Sequence, residues 1–325
     1  MLNTKWVSSL LGLVLLVMYL TGWWVSREPE LLVAEIKQSR QQLGDAAIVG
    51  YSTTTALIRV SETLLDKSGG YTANDIMPPF VMLDNMPAWE LGVLEMSRDL
   101  ALALRKDFSR SQSQSTENTY LKVAQPMFNI DHRSWAIPSA ESEYRKAIAQ
   151  LYLYRAELMD PAKPDSQFYA RADNLRDWLK AVEKRLGSYS QRLSASVGQD
   201  RVNTDLAGDA SARQSTDSPG SKVIKTSWWK LDDEFYEARG ASWALLHFLK
   251  AVEADFADVL KRKNAMISLR QIIRELEATQ QAVWSPMVLN GSGFGLMANH
   301  SLVMANYISR ANAALIDLSE LLTQG

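Results

Sequence analysis

Apolar positions along this chain follow two different rules. From Trp6 to Val25, WVSSLLGLVLLVMYLTGWWV, they run together without a single charge. Beyond Arg27 they return at spacings of three and four. Phe168, Ala172, Leu175, Leu179, Val182, Leu186, Tyr189 and Leu193 form an a/d seam of about four heptads. Phe235, Ala238, Ser242, Leu245, Leu249, Val252, Phe256 and Val259 repeat the spacing, as do Met297, Ser301, Met304, Ile308, Ala311, Leu315, Leu318 and Leu322.

Shorter stretches also read as helix: 31–43, 46–66 with Ser52-Thr53-Thr54-Thr55 lowering its propensity, 89–108, a segment from Ser139 to Leu158, and 266–280. Ser139 suits an N-cap, with Glu141 and Glu143 in the turn that follows. No window joins a period of two to β-branched enrichment. The predicted fold is all-α: an N-terminal single transmembrane helix followed by an elongated antiparallel helical bundle. The seam at 168–193 is expected to face the 235–259 helix or the final helix; a dimer of two chains would bury the same residues.

Three segments break the pattern. Gly69-Gly70 stops a helix, and 69–87, GGYTANDIMPPFVMLDNMP, has no period because Pro78-Pro79 forbids one. Its Ile76, Met77, Phe80, Val81, Met82, Leu83 and Met86 call for cover, with Asn74, Asp75, Asp84 and Asn85 to satisfy its backbone. The polar run 109–119 reads as solvated. Residues 199–226, QDRVNTDLAGDASARQSTDSPGSKVIKT, hold almost no large apolar side chain and read as a disordered loop or linker. The expected organisation is a cytoplasmic tail (1–5), an anchor (6–25), a first bundle part (27–198), the linker (199–226) and a second bundle part (227–325).

A run of twenty residues at 1.5 Å per residue crosses roughly 30 Å of hydrocarbon. Trp6 at one end and Tyr19, Trp23 and Trp24 towards the other suit the headgroup zone. A cleaved signal peptide is the competing reading, but its apolar region is shorter and ends in small residues, whereas this run ends Thr21-Gly22-Trp23-Trp24-Val25. The lipid bilayer is thus the expected partner of 6–25. A short tail, one span and a large body predict a single-pass bacterial inner-membrane protein with a periplasmic body. The absence of cysteine is compatible with that compartment.

Composition narrows the functional classes. Hydrophobic residues at 46% and charged residues at 22% are globular proportions. A net charge of −2 gives no electrostatic case for nucleic acid. No phosphate loop, H-E-x-x-H or G-x-S-x-G occurs, so no cofactor is expected. Asn290-Gly291-Ser292-Gly293-Phe294-Gly295 is glycine-rich but follows no strand, and reads as a hinge. His132, His247 and His300 are far apart and read as structural, leaving no expected metal site.

The densest polar cluster surrounds Trp228, Trp229, Asp232, Asp233, Glu234 and Arg239, the candidate binding residues. Three carboxylates at a helix start complement the positive end of its dipole. A carboxylate pair also suits acid–base chemistry, a use that spacing leaves open. The leading expectation is a non-catalytic scaffold or adaptor binding another envelope protein. The alternative is an enzyme acting on a periplasmic polymer or lipid through 232–234.

The strings LLDKSGGYTANDIMPPFVMLDNMPAWELGVLEMSRDLALALRKDFSRSQSQS and DSQFYARADNLRDWLKAVEKRLGSYSQRLSASVGQ resemble a family of proteobacterial membrane-anchored proteins, the domain-of-unknown-function family numbered 2333. The resemblance covers essentially the whole chain after the apolar run. It implies a Gram-negative inner-membrane setting and carries over no activity, ligand or catalytic residue.

Overall fold

The computed structural model describes residues 4–41, 48–111, 116–163, 166–202, 221–285, 287–292 and 294–324. Among them the helices run α1 (Thr4–Val25), α2 (Val33–Gln41), α3 (Tyr51–Asp66), α4 (Asn85–Ala103), α5 (Thr119–Phe128), α6 (Ala140–Leu158), α7 (Ala172–Ser194), α8 (Leu231–Asp255), α9 (Ala257–Arg262), α10 (Met266–Ala278) and α11 (His300–Thr323). The expected all-α fold is what forms. Lys5–Val25 is long and apolar enough to cross a membrane, a property that anchors and signal sequences share.

The centre of the body is the α4–α8 pair. Gly92 of α4 lies so close to α8 that a Cβ there would overlap the Glu237 carbonyl oxygen, and a Cβ on Gly240 would overlap the Trp89 carbonyl. Two glycines thus bring the backbones together, and Trp89 and Trp243 fill the space beyond them with ring centroids 5.2 Å apart. Gly92 meets Glu237 while Trp89 meets Gly240, so the pair is antiparallel.

The α7 seam is buried within the chain and faces the final helix. Leu175, Leu179, Val182, Leu186 and Leu193 are covered, as are Ile308, Ala311, Leu315 and Leu318 of α11. Gly187 approaches Asn312, and the Ser190 hydroxyl donates to the Ala305 carbonyl at 3.4 Å, again an antiparallel register. Arg145–Asp66, Tyr152–Glu62 and Arg155–Thr55 join α6 to α3 in the same sense.

Several boundaries differ from the periodic reading. Phe168 lies ahead of α7, against Phe108 and Phe256 at 5.2 and 5.6 Å. It covers Gly50, whose φ of +90° places it where α3 begins. Ser52–Thr55 are helical despite their propensity, because Asp255 accepts from the Thr53 amide at 2.7 Å and its hydroxyl at 2.8 Å. Met297 is exposed ahead of α11, and a break at Phe256 separates Val259 into α9. Within 109–119, Asn118 is buried and caps α5, accepting from Tyr120 and Leu121 amides.

The segment read as a linker is not loop at its ends. Gln199–Val202 (β1) pairs antiparallel with Ser221–Ile224 (β2), Gln199 opposite Ile224. Main-chain bonds hold this ladder, and composition does not report them. The stretch 203–220 lies outside the described residues.

The cover expected for 69–87 is also absent in part. Met86 is buried, but Ile76, Met77, Val81 and Met82 are exposed, the last two in a 3-10 turn at Phe80–Met82.

Candidate functional site

One buried charge pair shapes the site. Glu90 projects from the apolar face of α4 that carries Met86 and Val93, and pairs with Lys67; their side chains are 0% and 2% exposed. Its carboxylate accepts from the Thr72 and Ala73 amides at 2.8 and 2.7 Å and from the Thr72 hydroxyl at 2.9 Å. Burial pushes its pKa up, against the pull of Lys67 and Thr72. The Lys67 ammonium also donates to the Gly70 carbonyl. The Asn74 amide donates to the Ser134 carbonyl at 2.9 Å and to Glu141 at 2.8 Å. The loop after α3 is therefore held by side chains, although it lacks repeating structure. Sequence reading passed over Lys67 and Glu90; the signal was an acid on an apolar stripe.

This loop walls a cleft of ≈ 590 Å³ whose far side is the start of α8. Asp75, Asp233 and Glu234 face it, with Lys230, His132 and Arg133 at its edges. Burial raises the pKa of all three acids: Asp75 further through Glu141, Asp233 through Asp84 and Asp232, and Glu234 through Glu237 despite Arg192. Burial and Arg133 lower His132. Asp233 keeps one buried carboxylate oxygen without a hydrogen-bond partner, and so does Asn74 its amide oxygen. Such a cleft favours a ligand that brings positive charge or hydrogen-bond donors. Among the described residues no group of three His, Asp or Glu is placed to hold a metal ion.

The structure separates the candidates drawn from sequence. Asp232, Asp233 and Glu234 do occupy the first turn of α8. Glu234 pairs with Arg192 at 2.6 Å, which also holds Glu237 at 2.7 Å, while Asp232 accepts from the Asp233 amide at 3.2 Å. Trp228 and Trp229 are exposed, in the turn that ends at Lys230 of the cleft, with centroids 6.1 Å apart. Arg239 leaves the cluster. It is buried, grips Glu28 at 2.7 Å and donates to the Thr279 and Gln281 carbonyls at 2.9 and 2.8 Å.

Arg239 belongs instead to the neck that joins α1 to the body. Met18, Thr21 and Gly22 are partly covered and Val25 is buried, one stripe of α1 at helical spacing. Gly69, at φ +84°, leaves no room between itself and Val25. Arg27 stacks over Trp23 at 4.0 Å. Farther along, the Leu32 amide donates to His247 Nε2 at 2.8 Å, and His247 Nδ1 bonds the Trp243 carbonyl at 2.7 Å. His247 is thus neutral and structural, its pKa lowered by burial to about 4.

Fold and site together define an all-α bundle protein whose apolar N-terminal helix is packed onto the body beside an acidic cleft. The family described as uncharacterised proteins conserved in bacteria, DUF2333, matches residues 2–325, and the chain belongs to it. No curated protein and no solved structure matches.

Proposed function

We propose that this protein is a helical adaptor of the bacterial inner membrane, anchored by an uncleaved α1, with its body in the periplasm. The observation that carries the reading is the neck. Val25 fills a socket made by Gly69, and Glu28 and Leu32 engage α8. Removal of α1 as a signal peptide would empty that socket, so retention fits the packing. The cleft held beside this anchor suits a cationic segment of a second envelope protein, through Asp75, Asp233 and Glu234.

Two measurements test this. A phosphatase active only in the periplasm, fused after Gly325, is expected to be active; an inactive fusion with a fluorescent cytoplasmic reporter at the same site overturns the topology. A photo-crosslinker at Leu91, on the cleft wall, is expected to capture a partner that Asp233→Asn with Glu234→Gln releases from a folded chain. The raised carboxyl groups favour a second reading, an enzyme using one of them as general acid on a periplasmic polymer or lipid. Retention of the crosslink with loss of the cellular phenotype in that variant supports the enzyme.

A further inference from the structure

Side chains of Met77, Val81 and Met82 stand in solvent, with Met77 and Met82 70% and 71% exposed; beside Lys230 of the cleft, Trp229 is 86% exposed. Keeping such a set in water forgoes the stabilisation that burying apolar surface supplies. The set is not scattered over the body. Leu83, which follows Met82, lies beside Gly22 of α1, where a Cβ added to that glycine would meet it in van der Waals contact. Gly22 precedes Val25 by three residues, about 4.5 Å of helix rise, so this loop reaches into the apolar run. The partly covered stripe from Met18 to Val25 extends the overlap to roughly 10 Å along α1. Val81 and Lys230 line the same cleft, which sets Trp228 and Trp229 opposite the loop.

We propose that Met77, Val81, Met82, Trp228 and Trp229 lie in the lipid–water interface of the bilayer that α1 enters, seating the body on the membrane. The occupant of this rim is phospholipid, and the inference rests on α1 remaining a membrane helix. The chemistry is that of an interfacial zone. Trp23 and Trp24 of α1 and Trp228 and Trp229 of the body are amphipathic rings suited to headgroup depth. Arg27 and Lys230 add cations beside them, which anionic headgroups attract. Methionine and valine between these rings fit the acyl boundary. Seated in this way, the acidic cleft opens at the membrane surface and its ligand must approach along it.

The chain has no cysteine, so single introduced thiols label cleanly. The full chain, reconstituted in phospholipid vesicles, receives an environment-sensitive fluorophore in the separate variants Leu13→Cys, Met77→Cys, Met82→Cys, Trp229→Cys and Ile267→Cys. Ile267 is an exposed control on α10. With acyl-chain-brominated lipid, probes at 13, 77, 82 and 229 are expected to lose most of their fluorescence while the probe at 267 keeps its own. Quenching at 13, with 77, 82 and 229 as bright as 267, overturns the proposal and leaves the anchor standing. The rim then belongs to water, a protein partner or a second copy. A bright probe at 13 overturns the anchor, and this proposal with it.

Discussion

α4–α8 and α7–α11 are both long antiparallel pairs, but they are joined by different means and carry different loads. Between α4 and α8 the contact is backbone against backbone at Gly92 and Gly240. Between α7 and α11 it is a seam of apolar side chains, Leu179, Val182 and Leu186 on one helix and Ile308, Ala311 and Leu315 on the other. The first pair has almost no free volume to lose, because main-chain atoms do not change rotamer; the second can relax around a lost methyl group. The glycine-joined pair also bears Glu90, which pins the cleft wall, Arg239 and His247, which hold the neck, and Asp233 and Glu234 of the cleft. Rigid joining and the positioning of polar groups therefore occur on the same helices, and the seam closes the other side of the core.

The largest expected effect breaks the rigid pair. Gly240→Leu places a side chain where the Trp89 main chain lies, so the helices must separate. Chemical denaturation of the purified chain should show a loss of more than about 4 kcal/mol, or no folded protein. A variant within about 1 kcal/mol of wild type refutes the close approach. Leu179→Ala tests the seam, where a loss of about 2–5 kcal/mol is expected from burial and residual cavity. Melting should be independent of protein concentration if the seam faces α11 of the same chain; a rise with concentration in the wild type means a dimer interface.

The smallest expected effect concerns pH and the neck. Unfolded His247 takes a proton near 6.5, whereas the folded residue resists until about 4. Stability is complete above 6.5 and falls as pH drops through that window, by roughly 2 kcal/mol at pH 5. Hydrogen exchange should show the Leu32 amide losing protection on acidification before the amides of α7 do. In His247→Gln the pH dependence should flatten; an unchanged curve assigns it to other groups.

The long helices α7, α8 and α11 were legible because each repeats its apolar face every three to four residues, and local spacing survives in the sequence, whereas α5, with Pro126 inside it, was not read as a helix. The apolar run was legible from its unbroken hydrophobicity and the Ser139 cap from its residue type and the acids after it. Which face meets which helix was not legible. The α7 stripe matched α8 and α11 equally well, and only the packed chain selects α11. Contacts between residues far apart in sequence leave no local trace. Arg239 reads as a neighbour of Asp232–Glu234, yet its partner is Glu28, 211 positions away. Glu90 and Lys67 became a pair only when α4 folded back on the end of α3. Likewise the loop around Pro78-Pro79 reads as apolar and calls for cover, but cover depends on neighbours in space, and around Met77 and Met82 the body supplies little. Period and propensity are properties of a segment; burial, pairing and exposure belong to the assembled chain.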